Sequence, residues 1–428
     1  MLVISDKCLD PALEPIREKV RAAERLSHDD GLTLYGSRDI FTLGELANIV
    51  RERLHGRKAY YNINRHINYT NYCVLRCKFC SFYRPYPKGE QPIEGGYEFS
   101  VDEIAEMAAE ACERGATEAH IVGGLHPKLP FSYYTDMCRA IRQRCPKMHI
   151  KAFTAIEIIH FTRISKPRMS IAEVLIALRE SGLGSMPGGG AEIFDDRVHA
   201  EAFQAKVGEK HWFDVHRTAH DLGIPTNATM LYGHVETVAE RITHLVKLRE
   251  HQDLSLATIR ARSDEATEPR SDGGRASHDR AKLNPEPRTL NPAAAFNCCI
   301  PLSFIPDGSE LSSLPGPSGL DDLRTLAISR LMLDNVPHIK AFWIMQTPKL
   351  AQVALNWGVD DFDGTVVWYD ITKVGGADTH QEVGVGDLRR TIIEAGYDPV
   401  ERDTLYRRIE RDGADWRVVQ EGRDVVTA

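Results

Sequence analysis

The chain has 428 residues, 42% of them hydrophobic, and a formal charge of -8. A chain of that length can bury one large core or two modest ones, and the negative balance gives no general attraction to nucleic acid or to an anionic membrane. Met1-Leu2-Val3-Ile4-Ser5-Asp6-Lys7 lacks the basic head and long apolar run of a secretory signal, and no run of about eighteen apolar residues is present to span a bilayer.

Taken in order, residues 11–26 and 32–54 read as amphipathic helices, with Leu43, Leu46, Ala47, Val50 and Leu54 at helical spacing. They form an expected helical segment, 1–58, that caps the main fold. The extended run Tyr60 to Thr70 leads into Cys73-Val74-Leu75-Arg76-Cys77-Lys78-Phe79-Cys80, where three cysteines are spaced by three and then two residues. Three thiolates so close together can converge on one soft metal centre. No fourth cysteine lies nearby. A structural zinc site wants four protein ligands, whereas an iron–sulfur cluster held by three leaves one iron open to an exogenous ligand. A zinc knuckle completed by His66, or three buried thiols, are the alternatives. The six scattered cysteines (Cys8, Cys112, Cys138, Cys145, Cys298 and Cys299) read as reduced thiols of a cytoplasmic enzyme, not as a disulfide framework.

Beyond the cysteines a strand–helix alternation sets in. Capping boxes at Ser100-Val101-Asp102-Glu103 and Ser170-Ile171-Ala172-Glu173 open two helices, and further helices are expected at 132–144, 211–222, 237–252, 321–333 and 349–357. Strands are expected at 119–122, 148–154, 226–231, 296–304, 339–344 and 365–367. About eight such units argue for a (β/α)8-type, TIM-like barrel over residues 59–370, followed by a C-terminal extension, 371–428. Residues 254–295, rich in Arg, Asp, Ser, Pro and Gly, read as a low-complexity, disordered insertion. The cysteine loop, Gly123 to Pro127, Ala155 to Glu157, Pro187 to Glu192, Tyr232 to Glu236 and Pro306-Asp307 all fall just after strands. In a parallel barrel those loops open on one face. The aromatic set Trp343, Trp357 and Trp368 reads as core and cavity wall.

The pattern Cys-x3-Cys-x2-Cys with Phe79 before the last cysteine resembles that of radical S-adenosylmethionine enzymes. The resemblance implies one 4Fe–4S cluster on Cys73, Cys77 and Cys80, with S-adenosylmethionine, as co-substrate, on the open iron. It also implies reductive cleavage to a 5′-deoxyadenosyl radical and an external flavodoxin- or ferredoxin-like electron donor. Phe79 matches the residue whose backbone contacts adenine, and Gly123-Gly124 the pair that lines the methionine end. Asn-Tyr-Thr-Asn-Tyr-Cys (68–73), Val-Gly-Gly-Leu-His-Pro (122–127), Lys-Ala-Phe-Thr-Ala-Ile-Glu-Ile (151–158) and Pro-Gly-Gly-Gly-Ala-Glu-Ile-Phe (187–194) are similar to the aminofutalosine synthases of the futalosine route to menaquinone. The likeness runs from about Asn62 to Tyr406. Cyclic dehypoxanthine futalosine synthases and deazaflavin synthase subunits share much of it, and His126 and Thr154-Ala155 separate the readings. A non-enzymatic zinc-binding scaffold is the remaining alternative.

What the aminofutalosine resemblance implies is addition of the radical to 3-(carboxyvinyloxy)benzoate, giving 6-amino-6-deoxyfutalosine, methionine and bicarbonate. His126, Glu157 and His234 are the candidate catalytic residues. Phe79, Gly123, Gly124 and Glu192 are candidates for holding S-adenosylmethionine. Arg76, His126, Lys151, His234 and Lys340 are candidate partners for the two substrate carboxylates, and Glu157, Glu192 and Glu236 for ribose hydroxyls or the methionine ammonium.

Overall fold

The computed structural model describes residues 8–89, 91–267, 294–365 and 382–419. Its centre is a ring of parallel strands. β1 (Lys58–Asn62) and β2 (Asn64–Ile67) form one extended stretch interrupted at Ile63. β2 pairs with β3 (Glu118–Ile121), β3 with β4 (His149–Ala152), and β4 with β5 (Leu183–Ser185). β6 (Thr226–Tyr232), β7 (Phe296–Ser303) and β8 (His338–Ile339) pair in turn, and β9 (Asp361–Gly364) returns to β1. The two seams are closed by parallel bridges, Met186 to Thr226 and Lys340 to Asp361. Asn227 N donates to Met186 O at 3.0 Å and Ala341 N to Asp361 O at 2.9 Å. With β1 and β2 taken as one strand, eight parallel strands close the expected (β/α)8-type barrel.

Closure removes the sheet edges, so every ring strand carries buried residues on its path; all seven residues of β6 are buried. The helices Val101–Glu113, Phe131–Arg144, Ile171–Glu180 and Glu209–Asp221 lay apolar stripes over the outside. Ser100 and Ser170 both make the reciprocal capping boxes expected of them.

Several elements differ from expectation, each for a local reason. Residues 32–54 form two helices, His28–Gly36 and Ile40–His55, because Asp39 leaves the helix and caps the second one, accepting from Thr42 N at 3.0 Å. The helix beginning at Val238 does not stop at 252 but runs to Thr267. Gln252 and Ser255 tie it down: Gln252 bonds both N–H and C=O of Phe296, and the Ser255 hydroxyl lies 2.8 Å from His220 Nδ1. Pro269, the first residue able to break the helix, comes later in the chain. The expected insertion 254–295 thus begins as ordered helix, and its portion 268–293 lies outside the described residues, as do Val366, Val367 and Trp368. The strand expected at 339–344 is short, because Trp343–Gln346 turns into helix. In the C-terminal part, the helix Val385–Glu394 precedes β10 (Asp398–Glu401), which pairs parallel with β1 outside the ring. β11 (Ile409–Asp412) and β12 (Asp415–Val418) make an antiparallel hairpin.

Beneath the ring, Arg330 and Asp360 form an ion pair with both side chains fully buried. Arg330 also donates to the carbonyls of Gly358, Val336 and Pro337, and Asp360 accepts from His338 Nδ1 and Ile339 N. The pair therefore holds the β8 entry and the β9 entry together. Removing one partner strands a buried charge, which costs about 3–5 kcal/mol. Arg330→Met is expected to lose that much stability in urea unfolding; a loss below about 1 kcal/mol would show that the network does not hold the seam.

Candidate active site

At the carboxyl ends of the ring strands lies a cavity of about 300 Å³. Its wall draws on loops that follow β2, β3, β4, β5 and β7, and on residues at and after β8 and β9, so segments far apart in sequence meet there as the barrel geometry requires. Cys73, Cys77, Cys80, Phe79, Gly123, Gly124, Glu157, Glu192, Lys151 and Lys340 all line it.

The cysteine loop has no regular secondary structure and is held by its neighbours. Cys73 N donates to Arg84 O at 3.1 Å, Val74 N to Leu125 O at 3.0 Å and Lys78 N to Ala202 O at 2.9 Å. The glycine pair after β3 is needed for that approach: a Cβ on Gly124 would stand 2.3 Å from the carbonyl oxygen of Tyr72. Leu75 N and Leu125 N both donate to Cys73 Sγ at 3.3 Å, and the backbones of Phe82 and Tyr83 donate to Cys80. Burial pushes the Cys77 thiol up to about 12, against the pull of the Lys206 charge. Thiolate ligation by a metal overcomes that penalty.

The donor set fits a cluster better than a single ion. Among the described residues, the three sulfurs do not all lie within 4.8 Å of one another, nor do they form such a group with His66. A tetrahedral zinc with Zn–S of about 2.3 Å needs sulfurs about 3.8 Å apart. Three cysteines on one cavity wall, with N–H···S bonds to Cys73 and Cys80 already in place, suit a multi-iron cluster held at three corners.

Glu157 belongs to the second half of the site. Residues 155–157, expected as a loop, are the first turn of the helix Ala155–Ile164, in which Thr154 and Glu157 make a capping box. Glu157 accepts from Tyr69 Oη at 2.7 Å, Thr154 N at 2.7 Å, Thr154 Oγ1 at 2.8 Å and Gly123 N at 3.3 Å. It thus ties β4 to the glycine pair. Burial raises its carboxyl to about 7 despite those four donors. Across the cavity Glu192, at φ 46°, is paired with Lys206. Phe153 and Asp363 also hold positive φ, 64° and 67°, so left-handed non-glycine backbone occurs directly after β4 and at two residues that line the cavity, Glu192 and Asp363.

On the cavity floor, Lys151 Nζ donates to Glu118 at 2.9 Å and Lys340 Nζ to Asp363 at 2.7 Å. All four side chains are buried. Among the described residues, Asp363 Oδ2 has no hydrogen-bond partner. His66 and His120 complete the floor, and burial drives His66 down to about 4, so it is neutral at pH 7.

The structure does not bring every candidate into the cavity. The His126 ring is buried outside it, with Nε2 at 2.6 Å from Glu98 and Nδ1 accepting from Lys128 N and Leu129 N. Those bonds turn the ring toward the 84–98 segment and away from the mouth. His234 is spent on Leu231 O, at 3.0 Å from Nε2, and on Glu236. Glu236 in turn accepts from Gly233 N, His234 N and Arg241. Arg76 is exposed and paired with Glu310. No local motif marks Lys206 or Asp363, and Tyr69 enters the sequence reading only as part of the 68–73 run, with no role of its own; the capping box at Thr154 was the one available signal for the orientation of Glu157.

The raised carboxyl of Glu157 carries a measurable pH signature. Between its ordinary 4.5 and about 7 the folded chain binds the proton more tightly than the unfolded chain. Folding stability therefore falls as pH rises through that window, by about 3 kcal/mol in all. Glu157→Gln removes the titration, so its stability relative to the parent is expected to improve by about 2–3 kcal/mol between pH 5 and pH 8 in urea unfolding. A difference independent of pH would contradict the assignment.

Comparison with known proteins agrees with this geometry. The Radical SAM superfamily profile matches residues 67–248, and that of the CofH/MqnC C-terminal region matches residues 293–413. The chain is 45% identical to the aminodeoxyfutalosine synthase of Thermus thermophilus, covering 94% of this chain and 96% of that one. It is 38% identical to the aminodeoxyfutalosine synthase of Streptomyces coelicolor, over 94% and 95%. A third relative, the 5-amino-6-(D-ribitylamino)uracil–L-tyrosine 4-hydroxyphenyl transferase of Archaeoglobus fulgidus, is 36% identical, over 85% and 93%. Among solved structures, methylornithine synthase superposes with a TM-score of 0.60 at 16% identity, over 90% of this chain and 97% of that one. The FeFe-hydrogenase maturase HydG of Carboxydothermus hydrogenoformans gives 0.61 at 15%, over 92% and 80%; both likenesses concern the fold. The chain belongs to the radical SAM superfamily, in the group whose barrel carries a CofH/MqnC C-terminal region, and it is an enzyme whose cofactors are a 4Fe–4S cluster and S-adenosylmethionine.

Proposed function

We propose that the chain is an aminodeoxyfutalosine synthase, joining the 5′-deoxyadenosyl group of S-adenosylmethionine to 3-(carboxyvinyloxy)benzoate, with methionine and bicarbonate released. The observation that carries this reading is the 45% identity to the Thermus synthase along nearly the whole length of both chains. The cluster and S-adenosylmethionine, when bound, supply a 5′-deoxyadenosyl radical after one-electron reduction. An external flavodoxin- or ferredoxin-like carrier provides that electron, in a cytoplasmic setting that suits nine unpaired cysteines.

The residues of the chain have three tasks. Cys73, Cys77 and Cys80 hold the cluster, while Phe79, Gly123, Gly124 and Glu192 form the wall against which S-adenosylmethionine lies. Glu157 orients the Gly123 N–H and holds the glycine loop at its height above β4. Leu75, Ile156, Ile300, Leu302, Phe304 and Phe342 make the remainder of the wall largely apolar, which excludes water from a reactive carbon centre. Lys151 and Lys340 are the cations that reach this cavity from the floor, and they receive the substrate carboxylates. In this reading His126 and His234, whose rings lie outside the cavity, are given no catalytic part.

A second reading comes from the 36% identity to the archaeal transferase, and the cyclization of dehypoxanthine futalosine is a third. One experiment separates them. The anaerobically reconstituted chain is expected to convert S-adenosylmethionine and the carboxyvinyloxybenzoate to aminodeoxyfutalosine, followed by mass spectrometry. Turnover of only dehypoxanthine futalosine, or of only tyrosine with the ribitylaminouracil, would overturn the proposal. Loss of one charge-assisted bond to a carboxylate costs about 1.5–3 kcal/mol, so Lys340→Met is expected to raise KM for the benzoate by roughly 10- to 100-fold while leaving S-adenosylmethionine binding within about threefold. An unchanged KM would remove Lys340 from the carboxylate site.

A further inference from the structure

Lys206 stands outside every motif of the sequence, yet the structure brings it to the cysteines. It follows the helix Asp196–Ala202, and that segment is fastened to the cysteine loop at several points. Lys78 N donates to Ala202 O at 2.9 Å, Phe203 meets Phe79 edge-on with ring centroids 6.0 Å apart, and Lys206 Nζ lies 5.0 Å from the centroid of the Phe79 ring. The side chains of Lys206 and its carboxylate partner Glu192 are each only 10% exposed, and both line the cavity with Cys77 and Cys80. In such a poorly hydrated site a single charge is felt far more strongly than at the surface.

The potential of an iron–sulfur cluster follows the net charge around it, the hydrogen bonds to its sulfurs and its exposure. Here the N–H···S bonds to Cys73 and Cys80 are backbone groups, fixed by the fold. The charge is what side chains can set. We infer that Lys206 and Glu192 poise the reduction potential of the cluster as an opposed pair, the ammonium favouring the added electron and the carboxylate opposing it. This rests on the reading of the three cysteines as cluster ligands. Lys206 is in this role a positioning and tuning residue: it holds its charge at a fixed place beside the ligands, and the one electron taken up by the cluster comes from the external donor.

The test is a potentiometric titration of the reconstituted full-length chain with dithionite and mediators, followed by electron paramagnetic resonance, without S-adenosylmethionine or substrate. Lys206→Met is expected to lower the midpoint by about a tenfold change in the reduction equilibrium, or about 59 mV for one electron. Glu192→Gln is expected to raise it, the double variant to return close to the parent, and Lys206→Arg to keep the parent value. Iron analysis of each variant establishes that the cluster is loaded. A loaded Lys206→Met variant with an unchanged or higher midpoint would overturn the inference. If that variant fails to load, Glu192→Gln decides: a rise upholds the pairing, and no rise overturns it. If the parent chain itself takes up no cluster, the reading of the cysteines fails, and the inference fails with it.

Discussion

A loop without regular structure has to present three sulfurs to one cavity, and the site depends on how that loop is clamped. Its backbone groups are shared among four distant segments: Cys73 with Arg84, Val74 with Leu125, and Lys78 with both Ala202 and Glu310. Each clamp is an ordinary amide bond of about 1 kcal/mol net, but together they fix the loop relative to strands on both sides of the barrel. Gly124 makes the closest of these approaches possible. A radical-forming cofactor needs that rigidity, since a reacting carbon misplaced by about 1 Å costs on the order of 100-fold in rate.

The same economy governs the buried charges. Lys151 with Glu118, Lys340 with Asp363, Arg402 with Asp361 and Arg330 with Asp360 put four ion pairs in and below the ring. Paired charges of this kind contribute little net stability compared with apolar packing, but they fix geometry, because breaking one leaves the other unsolvated. The floor of the cavity can therefore be polar enough to receive an anionic substrate and still be held in one arrangement. The histidines nearby, His66 and His120, are driven neutral by burial and contribute shape but no charge.

Much of this was legible from the residues alone. Three cysteines at that spacing after an extended run mark the metal loop, and the alternation of strand-like runs with capped helices marks a barrel whose loops share one face. What escaped is what depends on side-chain direction and on distant partners. His126 sits beside Gly124 in the chain, yet Glu98 and two backbone amides turn its ring out of the cavity. Thr154-Ala155-Ile156-Glu157 carries the same capping signal as Ser100 to Glu103, but its position after a strand suggested a loop, so the orientation of Glu157 was missed. The helix Val238–Thr267 outlasts its own apolar pattern because Gln252 and Ser255 find partners on β7 and on His220. Lys206 is silent in sequence, since only closure of the barrel brings it to Glu192 and Phe79.

A cluster held by Cys73, Cys77 and Cys80 with one iron open to the cavity would bind S-adenosylmethionine directly at that iron. Electron paramagnetic resonance of the reduced, reconstituted chain tests it most directly, with spectra taken before and after S-adenosylmethionine is added. Ligation of the open iron changes the g values of the reduced cluster, and that change is the expected result. Identical spectra, or a colourless chain carrying stoichiometric zinc in place of iron, would contradict the account.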